Sequence, residues 1–78
     1  MEQVLTVQEA QRYQEAQGYK DAFVGRSVVN KSGTQYTVIN VVYLSDPDDI
    51  FVSIKNNPYI SPITERLSFF QDNYSFID

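Results

Sequence analysis

The stretch Thr34-Gln35-Tyr36-Thr37-Val38-Ile39-Asn40-Val41-Val42-Tyr43-Leu44, then Ser45-Asp46-Pro47-Asp48-Asp49, then Ile50-Phe51-Val52-Ser53-Ile54-Lys55, reads as two β-strands joined by a turn. β-Branched and aromatic residues fill both runs, as suits a pleated, half-buried surface. The turn residues interrupt the pattern for backbone reasons: proline fixes φ, and aspartate side chains bond nearby amides. Pairing Leu44 with Ile50 sets Tyr43 against Phe51 and Val41 against Ser53.

Toward the N-terminus, Lys31-Ser32-Gly33 suits a three-residue hairpin loop closed by a positive φ at Gly33. That loop pairs Asn30 with Thr34 and Val28 with Tyr36, and brings Phe23 near Val41, in a first strand spanning residues 22–30. Alternation then sorts the side chains into two faces. Val24, Val28, Tyr36, Val38, Val42, Leu44, Ile50, Val52 and Ile54 form the expected core. Phe23, Ile39, Val41, Tyr43 and Phe51 form a second face, too apolar to be left to water. Arg26 and Asn40 fall awkwardly on the core face, and a bend at Gly25 is expected to turn Arg26 outward.

Ahead of the strands, Thr6 and Glu9 have the spacing of a capping box, and Gly18 offers a left-handed helix end. The stripe Val7, Ala10, Tyr13 is narrow, so this helix is expected to lean on Ile39, Val41 and Phe23. After Lys55, the prolines and asparagines of residues 56–62 indicate a loop. The tail fits two periods, with Ile63, Leu67 and Phe69 alternating as in a strand and Leu67, Phe70 and Tyr74 spaced as in helical turns. The favoured reading is a short strand near residues 65–68, a tight helical turn and an extended piece near 74–77.

The fold class is therefore mainly β (α+β), in one domain over residues 1–78. A short N-terminal helix and connector (1–21) precede a small, strongly bent antiparallel meander of about five strands (22–78). This is the arrangement of an SH3-like barrel, which removes its exposed edges by curling.

Composition narrows the chemistry. The chain has no His and no Cys, which removes the commonest general base, the commonest metal ligand and the thiol nucleophile. Its three glycines are too scattered to cradle a phosphate. No enzymatic activity, cofactor or metal is expected. The lack of Cys, of a basic-then-apolar leader and of any long apolar run points to a cytoplasmic protein that does not enter membranes. With a net charge of −4 and six basic residues spread singly, direct nucleic-acid binding is not expected either.

The candidate site lies at the turn. Asp46, Asp48 and Asp49 lack the central Gly and distant Glu of a calcium-binding loop, so they read as a plain turn that also suits a basic partner surface. Tyr43 and Phe51 are expected side by side next to it, with Tyr59 in the following loop, and exposed aromatic residues are common binding anchors. These six residues are the expected partner-binding set of a non-catalytic protein-binding module. Such a module would act as a small adaptor, or as an inhibitor docking on a larger macromolecule. A narrower form is a viral or mobile-element inhibitor of a nucleic-acid-processing host protein. The alternative is a structural subunit of an assembly or homo-oligomer, with the second apolar face buried between chains.

Overall fold

The computed structural model describes residues 6–57 and 60–77. Helix α1 (Val7–Phe23) is followed by strands β1 (Ser27–Asn30), β2 (Gln35–Leu44), β3 (Asp49–Lys55) and β4 (Ile63–Arg66), helix α2 (Leu67–Asn73) and strand β5 (Tyr74–Phe76). The strands form one antiparallel sheet in the order β4-β3-β2-β1-β5. β4 and β5 are its outer strands, so the sheet stays open instead of closing into the expected SH3-like barrel. The mainly β class is as expected, but only β1–β4 form the meander, because β5 returns to pair with β1 instead of β4. The tail has the expected order of strand, helix and strand, with the strand at Ile63–Arg66 and residues 67–68 already in α2.

α1 begins at the capping box: the Thr6 hydroxyl accepts from the Glu9 amide at 3.0 Å, and the Glu9 carboxylate reaches back to Thr6. It does not stop at Gly18. A mid-helix glycine costs about 0.5–1 kcal/mol relative to alanine, but continuing the helix docks Tyr19 and Phe23 against the core. The Phe23 ring meets Phe76 at 4.9 Å and Phe70 at 5.9 Å between centroids. Gly25, at φ 90°, then turns the chain. The first strand therefore starts at Ser27, not near Ala22, and Phe23 belongs to the helix.

The β1–β2 hairpin follows the expected register, with Val28 opposite Tyr36. Asn30 holds it: its amide donates to the Thr34 carbonyl, and its side-chain oxygen accepts from Ser32 and Thr34 amides at 3.0 and 2.9 Å. Gly33, at φ 87°, closes the loop.

The β2–β3 register departs from expectation. Val38 pairs with Ile54, yet Asn40 pairs with Ser53, leaving Ile39 as an extra residue in a β-bulge. One extra residue inverts the alternation of everything beyond it. Leu44 thus pairs with Asp49 and Tyr43 with Ile50, while Val41 and Tyr43 turn into the core. Val42 shifts to the opposite face, half-buried, and Leu44 is 46% exposed. Val24, also expected inside, is exposed beyond the end of α1.

Both helices lie on one face of the sheet. Ala16 of α1 and Phe70 of α2 join Val28, Val38, Val41, Tyr43, Ile50, Val52 and Ile54 in the core. Each buried valine, isoleucine or phenylalanine among them contributes roughly 1.5–3 kcal/mol relative to exposure. α1 leans on β2, as expected, but through Tyr13 and Ala16 and on the face of Val41 and Tyr43. Val7 is left 77% exposed and Ile39 remains exposed in the bulge. Among the described residues, no helix is long and apolar enough to cross a membrane.

Candidate functional site

The turn Ser45-Asp46-Pro47-Asp48 joins β2 to β3 through a cis Asp46–Pro47 bond, with Asp48 in the left-handed region at φ 62°. Aspartate tolerates that conformation better than most residues because its short side chain bonds locally. Here the Asp48 carboxylate accepts a hydrogen bond from the Tyr43 hydroxyl. That bond, reinforced by burial and the negative charge of Asp48, pushes the Tyr43 phenol up to about 12. Tyr43 is only 4% exposed and is packed edge-on by Tyr13 at 4.8 Å.

Two arginines from distant parts of the chain converge on the same turn. Arg12 of α1 lies 5.7 Å from the Tyr43 ring centroid and reaches Glu15 at 3.2 Å, Asp48 at 3.9 Å and Asp49 at 4.0 Å. Arg66, at the end of β4, reaches the other Asp49 oxygen at 3.1 Å. Asp49 also accepts from the Ile50 amide at 2.8 Å. The turn is thus a junction tying α1 and β4 to the central hairpin, and much of its negative charge faces arginines of the same chain. Exposed pairs of this kind are individually worth only about 0.2–1 kcal/mol. Asp46 stays exposed at the tip.

The six expected site residues are therefore divided. Tyr43, Asp48 and Asp49 do meet, but Tyr43 is a core residue and not an exposed anchor. Phe51 lies across the sheet from Tyr43, opposite Val42 instead of Tyr43. Its ring is 6.0 Å from the Arg66 guanidinium. Tyr59 lies outside the described residues. No periodicity links Arg12 to Asp48, since the pair forms only once α1 docks.

The face turned away from the helices carries Val29, Thr37, Val42, Leu44, Phe51, Ser53 and Thr64. None of these belongs to the core cluster, and Leu44 is exposed at its border. Ser53 and Thr64 hydroxyls share a 3.0 Å hydrogen bond there. Near the bulge, Thr37, Ile39, Lys55, Asn56 and Asn57 line a shallow depression of about 200 Å³.

A second concavity, of about 220 Å³, lies on the helix side between the β1–β2 loop and α2. Asn30, Lys31, Ser32, Glu65, Phe69, Asn73 and Tyr74 line it. Glu65 faces this side because it is opposite core residue Val52. Its Oε2 atom is buried without a hydrogen-bond partner. Burial, then a hydrogen bond to Glu65, pushes the Tyr74 phenol up to about 12. Nothing local in the sequence shows that this tail carboxylate meets a hairpin loop. Among the described residues, no group of His, Cys, Asp or Glu has the geometry to hold a metal ion. Comparison with protein-family models, with curated proteins and with solved structures finds no match for this chain.

Proposed function

We propose that this chain is a non-catalytic protein-binding module, a small adaptor or inhibitor acting in the cytoplasm, which docks through the uncovered face of its sheet. The observation that carries the reading is the one-sided architecture: both helices pack on the core face, leaving Val42, Leu44 and Phe51 on the other. An apolar sheet face rimmed by polar groups is the usual form of an interaction surface. Asp46 at its border favours a partner with a basic surface. The relocation of Tyr43 into the core moves the anchor from the Tyr43–Phe51 pair to Phe51 and its neighbours.

Affinity capture from cell lysate, repeated with Leu44→Lys and Phe51→Ala, tests this. Folded variants, checked by circular dichroism, should lose the partner recovered with the parent chain. Undiminished recovery with both would remove this face as the docking surface. The outer strands β4 and β5 favour a second reading, a homo-oligomer joined edge to edge. Light scattering on a size-exclusion column separates the two, since a monomer at high concentration excludes the oligomer.

A further inference from the structure

We infer that the concavity between the β1–β2 loop and α2 receives a guanidinium group, carried by an arginine side chain of the protein partner. The inference rests on the protein-binding reading for the carrier, but the cavity argues for the cation by itself. Glu65 presents a carboxylate oxygen that is buried and unpartnered. Leaving such an atom unbonded is destabilising, and more so for a charged group. The tyrosine beside it bonds the carboxylate and leaves Oε2 unmatched.

The cavity's size and lining select among cations. At about 220 Å³ the concavity is larger than a single water needs and opens to solvent, so it admits a side-chain head group. A hard metal ion needs several oxygen ligands, and only one carboxylate lines the cavity. Phe69, which is 49% exposed, and Tyr74 supply aromatic walls. A weakly hydrated planar guanidinium stacks on such walls better than a strongly hydrated ammonium does. One arm of its donor fork can reach Oε2, the carboxylate oxygen that the tyrosine leaves unmatched. The Asn73 amide nitrogen already donates to the Phe69 carbonyl at 2.9 Å, which leaves the amide oxygen as a further acceptor.

Lys31 lines the same cavity. Its ammonium opposes any incoming cation, so removing it should strengthen binding.

The test is a titration of the isotopically labelled full chain with N-acetyl-arginine methylamide, followed by backbone amide shifts. Saturable shifts are expected at Ser32, Asn73 and Tyr74, with the lysine analogue binding more weakly. Glu65→Gln should weaken the arginine probe at least roughly tenfold while keeping native dispersion. Lys31→Gln should tighten it, more so at low salt. Absence of saturable shifts in both the parent chain and Lys31→Gln overturns the inference, as does equal binding by Glu65→Gln. Free arginine binding more tightly than the blocked amide overturns the side-chain assignment. Loss of partner capture by Leu44→Lys with no probe site sinks the pocket alone. A probe site with capture untouched by Leu44→Lys or Phe51→Ala sinks the open-face reading alone.

Discussion

The Tyr43 hydroxyl donates to the carboxylate of Asp48, five residues along the chain and across a turn in which Asp48 takes a positive φ. A core side chain and a strained turn residue thereby stabilise each other. The neutral phenol is the form that makes this bond, so both Tyr43 and Tyr74 hold their protons to about 12 in the folded chain, against 10 ordinarily. Below pH 10 both are neutral whether folded or unfolded, and their contribution to stability is fully present. Above it the unfolded chain ionises first, and that contribution is lost as pH rises toward 12. Urea midpoints should fall through this window, and Tyr43→Phe and Tyr74→Phe should each flatten the decline. A midpoint independent of pH across the window would contradict the assignment.

The hairpin at Asn30-Lys31-Ser32-Gly33 was legible because local chemistry decides it, and the tail was legible only in part because its apolar residues fit both a strand and a helical period. Asn30 caps its own loop, and the Phe69-Phe70 step breaks strand alternation within the tail. The two departures were decided at longer range. Gly18 has the local character of a helix end, and only the burial of Tyr19 and Phe23 against β-strands far along the chain overrides it. The bulge at Ile39 leaves one mark, the polar Asn40 that unbroken alternation would place on the core face, in a run from Val38 to Leu44 that is otherwise apolar. The candidate site inherited that error, because moving Tyr43 by one register step exchanges a binding anchor for a core residue.

Gly18 lies inside α1 without a steric reason for being glycine. A Cβ built there meets no atom within 4 Å. Gly18→Ala should therefore stabilise the chain by about 0.5–1 kcal/mol, seen as a melting temperature higher by roughly 2–8 °C. A lower melting temperature would show that the helix needs the glycine's freedom.

The bulge makes a counterintuitive deletion tolerable. Removing Ile39 would leave Val38, Val41 and Tyr43 inward and Asn40, Val42 and Leu44 outward in unbroken alternation. Deleting Val42 instead would send Tyr43 to the outer face and Leu44 inward. The Ile39 deletion should retain a cooperative urea transition and native amide dispersion, and the Val42 deletion should lose both. Equal loss from the two would mean that the bulge itself is needed for the strand's path.

Phe70 and Phe69 are sequence neighbours with opposite environments, so they separate packing from composition. Phe70 is 2% exposed and its ring meets Phe23, Tyr74 and Phe76 at 5.9, 5.3 and 6.0 Å. It is where α1, α2 and β5 converge, and Phe70→Ala should cost roughly 3–5 kcal/mol. A domain of this size has a total stability of only about 5 kcal/mol, so that variant should retain at most about 2 kcal/mol and show a much lower urea midpoint. Phe69→Ala, at a half-exposed position on the cavity wall, should shift the urea midpoint by no more than about 0.5 kcal/mol equivalent. It should nonetheless weaken the arginine probe, because it removes a stacking surface without touching the core. Comparable destabilisation by the two substitutions would mean that α2 does not present Phe70 inward and Phe69 outward.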